Sequence, residues 1–304
     1  MYLDPRRHLV HYVLRRMGRR DGRIQTVAEY VSAKQQNPDP HLPPIGRAAR
    51  DLDISEGEVD GTLVYRVTPP GDARGAFVYL HGGSYISEIT AAQWELVMEL
   101  SRGSGSTCLV PICPLAPSET AEQLVPRAAT VIAAAVEEFG AENLSVFADS
   151  AGGGLAVAAV QHLRNAGTAL PARLVLLAPW LDVELRHPDQ EALKSLDLMA
   201  RPDYLLDAGR TYAGDLPTDD WRVSPLFGDF TGLPPMHVFT GSHDIIVTDS
   251  RQLVDRVRAA GGRIDYAEAP GMQHVYPILP LLGEARSTKR KVAKLLGQGQ
   301  GSTR

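Results

Sequence analysis

Between residues 76 and 268 short apolar runs alternate with longer helix-compatible stretches, and this alternation most limits the folds open to the chain. Strands are expected at about 76–80, 106–112, 144–148, 173–177, 236–240 and 263–268. Helices are expected between and after them, at about 91–102, 121–139, 151–165, 250–260 and 282–296. Strand-then-helix repetition builds a mostly parallel sheet with helices on both faces. The runs Leu174-Val175-Leu176-Leu177 and Met236-His237-Val238-Phe239 suit strands buried on both sides. Two more strand-like runs precede them, at about 49–54 and 62–68. The rhythm lapses between Leu181 and Trp221, a charged segment broken by Pro188, Pro202 and Pro217. It reads as an insertion of one or two helices above the sheet. The expected class is α/β, with one large domain in a chain of 304 residues.

A helix is expected at 4–18, where Leu9, Val10, Val13, Leu14 and Met17 make one face and arginines the other. A second helix is expected at 24–35, before Pro38, Pro40, Pro43 and Pro44 break the pattern. A basic amphipathic helix can rest on an anionic membrane surface. This stripe is short and has little aromatic bulk, so a packed helix with solvated arginines is the preferred reading. The formal net charge of −5 gives no reason to expect a nucleic-acid partner. No secretory leader and no transmembrane span is expected. The two cysteines, Cys108 and Cys113, are five residues apart in or beside one strand, so they should face opposite sides and stay unbridged. Unbridged thiols fit a reducing, cytoplasmic setting.

Candidate chemistry begins at Leu144-Ser145-Val146-Phe147-Ala148-Asp149-Ser150-Ala151-Gly152-Gly153-Gly154. A strand ends in an acid and a serine, and small residues lead into a helix. A serine at such a corner is lifted clear of the sheet, with a helix N-terminus behind it. The bland reading is a helix N-cap. Three further pieces favour the nucleophile. Leu80-His81-Gly82-Gly83 ends an earlier strand, and the N–H groups of Gly82 and Gly83, with that of Ala151, could form an oxyanion hole. Asp244 follows the strand at 236–240, at the carboxyl edge where sites form in parallel sheets. His274 follows the strand at 263–268, so serine, acid and histidine stand in hydrolase order. Asp249 is the rival acid, and it reads better as a cap or loop brace. Trp94, Tyr85 and Trp180 are core residues first and pocket candidates second. No His-Glu-x-x-His, Cys-x-x-Cys cluster or Walker-type glycine loop occurs, so no metal or nucleotide cofactor is expected.

Taken together these motifs resemble the bacterial hormone-sensitive-lipase family of α/β-hydrolases. His81-Gly82-Gly83-Ser84 is similar to its His-Gly-Gly-Gly loop, and Asp149-Ser150-Ala151-Gly152-Gly153 to its nucleophile motif. Leu115-Ala116-Pro117-Ser118-Glu119 and Ser224-Pro225-Leu226 also stand where the family has similar segments. The resemblance implies an α/β-hydrolase fold over residues 46–304, capped by residues 1–45 and an insertion at about 184–218. It implies a cofactor-free carboxylesterase or lipase-type enzyme acting on a small-molecule ester, with Ser150, Asp244 and His274 as its triad. Short to medium acyl esters are the expected substrates. Pairing into a homodimer through an edge strand and the last helix is a further implication. An amide or formamide hydrolase, or a ligand-binding protein without turnover, is the alternative. Ala148, Ser84 and Ile112-Cys113-Pro114 depart from the family pattern, and the Ala148 methyl falls at the tight corner beside Ser150.

Overall fold

The computed structural model describes residues 26–38, 41–43, 46, 49–73, 75–279 and 281–298. The helix expected at 4–18, and the membrane-surface reading attached to it, lie outside them. Eight strands of the described residues form one sheet in the order β1-β2-β4-β3-β5-β6-β7-β8. They are β1 (Asp53–Val59), β2 (Thr62–Thr68), β3 (Ala76–Leu80), β4 (Thr107–Ile112), β5 (Leu144–Asp149), β6 (Arg173–Leu177), β7 (Met236–Gly241) and β8 (Ile264–Ala269). The helices are α1 (Val27–Gln36), α2 (Ala91–Ser104), α3 (Ala121–Phe139), α4 (Ser150–Asn165), α5 (Gln190–Leu193), α6 (Pro202–Ala213), α7 (Val247–Ala259) and α8 (Gly283–Leu296). From β4 to β8 neighbouring strands run parallel, while β1 and β2 join antiparallel at one end.

Alternate strand residues feed two cores. Val78, Leu80, Val146, Ala148, Leu174 and Leu176 face the side covered by α3, α4 and α7. Phe77, Tyr79, Phe147, Val175 and Leu177 face the side covered by α2 and α8. The period of two along each strand produces this division. Cys108 and Cys113 are free, buried and in different cores, as their spacing predicted.

The first strand lies later than expected, at Asp53–Val59 rather than 49–54. It is an edge strand with little buried surface, so Asp-Ile-Ser-Glu-Gly-Glu-Val carries no apolar alternation. Its identity comes from the Asp60-Gly61 turn, where φ is 46° and 72°, which folds it back onto β2.

The insertion expected at 184–218 contains α5 and α6. Helix α1 meets α6 above the sheet: the Val27 N–H donates to Asp207 Oδ2 at 3.0 Å, and the Tyr30 ring stands edge-on to Tyr204. No described helix is long and apolar enough to cross a membrane.

Candidate active site

Parallel strands present all their carboxyl ends on one side, so loops distant in sequence converge there. Ser150 opens α4 straight after β5 with φ of 52°, a left-handed conformation that costs a residue with a side chain roughly 1–3 kcal/mol. The packing around the corner enforces it. A methyl built on Gly152 would stand 2.1 Å from the Leu80 carbonyl oxygen, so the first turn of α4 lies directly on the end of β3. Ala148, by contrast, is fully buried in the core beside its sheet partners Leu80 and Leu176. With the Ala148 methyl packed there, Ser150 Oγ still stands within hydrogen-bond reach of an imidazole, that of His274.

The structure brings Ser150, His274 and Asp244 together. His274 Nε2 lies 2.9 Å from Ser150 Oγ, and His274 Nδ1 lies 2.8 Å from Asp244 Oδ2. The other oxygen of Asp244 accepts the Ile246 N–H at 3.0 Å. The loops carrying acid and base are laced to each other. His243 N–H donates to the Met272 carbonyl at 2.9 Å, and Gly271 N–H donates to Ser242 Oγ at 2.7 Å. Burial raises the Asp244 carboxyl above its ordinary value, against the pull of His274. Burial draws His274 downward. The Asp244 charge and hydrogen bond, with the charges of Asp197 and Asp149, outweigh it and lift the imidazole to about 9.

Asp249, the rival acid, is a brace. Its carboxylate accepts the Leu181 and Asp182 N–H groups at 2.8 and 3.0 Å. Burial pushes it up to about 8.

One expected donor is occupied. The Gly82 N–H donates to Asp149 Oδ1 at 3.0 Å and so is not available to a substrate. Asp149 also accepts from the Tyr79 hydroxyl at 2.5 Å and the Gln93 amide at 3.2 Å. The carboxylate next to the serine thus anchors the glycine loop. A methyl on Gly82 would stand 2.5 Å from Asp149 Oδ2. Two N–H groups further along are without a hydrogen-bond acceptor among the described residues, those of Gly83 and Ser84, whose φ values are 140° and 54°. Ala151 adds a third donor, since the first N–H groups of a helix have no partner within it.

Ser150, His274 and Ser84 line a cavity of about 480 Å³. Trp180, Ile245 and Ile246 continue the lining from the sheet side, and Tyr30, Met199 and Tyr204 from the cap side. Of the three candidate aromatics Trp180 alone lines it. Trp94 is buried in the opposite core, and Tyr85 stacks on Tyr212 with ring centroids 3.6 Å apart. Tyr30, Met199 and Tyr204 carry no motif. Their one sequence signal is the expectation that residues 1–45 and the insertion meet over the site. The described residues contain no cluster of three or more His, Cys, Asp or Glu side chains able to hold a metal. A hydroxyl bonded to an imidazole, itself bonded to a buried carboxylate, can be activated for attack on an acyl carbon.

A family model described as alpha/beta hydrolase fold matches residues 77–278. A triacylglycerol lipase of Mycobacterium tuberculosis (strain ATCC 25618 / H37Rv) is 31% identical over 238 residues, 78% of this chain. That match spans only 50% of the lipase. An acetyl-hydrolase of Streptomyces hygroscopicus is 34% identical over 209 residues, covering 67% of this chain and 70% of that protein. Among solved structures, an esterase from the bacterial hormone-sensitive lipase family superposes with a TM-score of 0.82 at 26% identity, over 99% of this chain and 100% of the other. The chain belongs to the bacterial hormone-sensitive-lipase family of α/β-hydrolases.

Proposed function

We propose that this hydrolase cleaves carboxylic esters of short to medium acyl chains through an acyl-enzyme on Ser150. The observation that carries the proposal is the continuous hydrogen-bonded path Ser150–His274–Asp244 opening onto the cavity. Ser150 Oγ attacks the ester carbonyl while His274 Nε2 takes its proton. Asp244 keeps the other imidazole nitrogen protonated and stabilises the cation. The N–H groups of Gly83, Ser84 and Ala151 receive the oxygen as it gains negative charge. His274 then returns the proton to the leaving alcohol. Water, activated by the same imidazole, releases the acid. Residues 26–38 and the insertion at about 184–218 act as the cap that walls the acyl site. The names of the relatives, which include an acetyl-hydrolase and an esterase, support the substrate class. A cavity of about 480 Å³ also suits a small molecule.

The test is turnover of p-nitrophenyl esters from acetyl to palmitoyl, beside an anilide of the best acyl group, by the parent and Ser150→Ala. The parent should prefer the shorter half of the series and the ester over the anilide. Ser150→Ala should lose about 10⁴-fold or more in kcat, because the three residues act as a unit. Parent-level turnover by Ser150→Ala would refute the mechanism.

A further inference from the structure

The linker between α5 and α6 is stitched to both loops that carry the acid–base pair. Asp197 Oδ1 accepts the Met199 and Ala200 N–H groups, each at 2.8 Å, which shapes the linker itself. A local turn needs nothing more. Yet Asp197 Oδ2 accepts the Ile245 N–H at 2.8 Å, from the residue directly after Asp244. Gln273, directly before His274, makes a second stitch. Its Oε1 accepts the Leu198 N–H at 2.8 Å, and its Nε2 donates to the Leu196 carbonyl at 3.1 Å. Asp197 and Gln273 are 8% and 2% exposed, so water does not compete for these bonds. The same linker supplies Met199 and Ala200 to the cavity wall, and the first turn of α6 supplies Tyr204 and Leu205. One short segment therefore supplies part of the cavity wall and is bonded to the loops of both acid and base.

We propose that Asp197 and Gln273 are positioning residues: by tying the linker to the Ile245 N–H and to the residue before His274, each is needed to set Asp244 against His274 and to lock that pair in register with the cap wall of the cavity. The proposal rests on the ester-hydrolase reading of the site. The carboxylate has an electrostatic effect as well. The acidic groups that act on His274 are Asp244 from the loop after β7, Asp197 from the linker and Asp149 from the end of β5. Arg201 also lines the cavity, its guanidinium 5.5 Å from the Tyr204 ring centre. The negative charge of Asp197 favours protonated His274, so removing it lowers the imidazole pKa.

The test variant is Asp197→Asn. Its amide keeps one oxygen and sets an NH₂ against an N–H donor, so either the bond to Ile245 or the two bonds that shape the linker are lost, and either loss loosens the linker against the acid loop. Turnover by the parent and its loss in Ser150→Ala are measured first. A failure of the ester-hydrolase reading shows there, and a failure of the present proposal shows in Asp197→Asn. With p-nitrophenyl butyrate, kcat of folded Asp197→Asn should fall about 10- to 100-fold, the scale expected for a displacement near one ångström. The acid limb of kcat/KM should also move to lower pH. An unchanged kcat or an unmoved limb overturns the proposal. If Asp197→Asn does not fold, Gln273→Met decides. It removes the second stitch without altering charge, so kcat should fall about tenfold or more with the limb unmoved. Parent-level kcat in that variant overturns the proposal.

Discussion

The N–H of Gly82 and the carboxylate of Asp149 are joined at 3.0 Å, which ties the loop beyond β3 to the residue that precedes Ser150. The Tyr79 hydroxyl and the Gln93 amide complete the shell of that carboxylate. Asp149→Ala leaves the Gly82 N–H and the Tyr79 hydroxyl buried without this acceptor, at about 1–3 kcal/mol for each, while the Gln93 amide keeps the Gly82 carbonyl at 3.1 Å. Urea unfolding should show a loss of at least about 2 kcal/mol, and kcat should fall with it as the glycine loop drifts. A midpoint equal to that of the parent would show that the network does not hold the corner.

Gly152→Ala should reverse the usual rule for helices. In an open helix the change gains about 1 kcal/mol. Here the new methyl would lie 2.1 Å from the Leu80 carbonyl oxygen and 2.6 Å from that of His81, both backbone atoms. A loss of about 2 kcal/mol or more is expected from overpacking, together with most of the activity. Thermal unfolding beside an ester assay checks both; a stabilised, active variant would contradict the described contact.

That Ser150, Asp244 and His274 would meet was legible because each follows a strand, and parallel strands bring such ends together whatever their separation along the chain. Asp249 was legible as a brace from its place near the start of α7. Gly82 was not legible as an occupied donor. A glycine pair shows where backbone can approach a substrate, and it does not show that the neighbouring Asp149 carboxylate competes for the first N–H. Edge strand β1 escaped for the opposite reason: its pairing is set by a turn and by backbone bonds, with almost no side-chain burial to leave a pattern. The cavity wall from Tyr30, Met199 and Tyr204 depends on how the cap packs on the sheet, which no local periodicity encodes.

The pH dependence follows from the raised His274 pKa. The base must be neutral to accept the Ser150 proton, so activity is lost as pH falls through that pKa. With the imidazole lifted to about 9, kcat/KM should climb from neutral pH toward pH 9. The ordinary imidazole value is about 6.5. Asp244→Asn should lower kcat by about 10⁴-fold and shift what remains of the limb downward. A pH-stat profile with a butyrate ester measures both. An acid limb at or below the ordinary histidine value in the parent would contradict the proposed electrostatics.

Leu205 is half-buried on the cap side of the cavity. Leu205→Trp should fill acyl space and leave the path through His274 intact. The ratio of kcat/KM for octanoate to that for acetate should fall about tenfold, in line with the value of a few methylenes in an apolar pocket. An unchanged ratio would place the acyl chain elsewhere.

The most direct measurement is to inactivate the enzyme with a fluorophosphonate and map the modified peptide by mass spectrometry. One adduct per chain on Ser150, absent in Ser150→Ala and forming in step with the loss of esterase activity, is the predicted result. Full activity without an adduct, or inactivation with the label on another residue, would contradict the account.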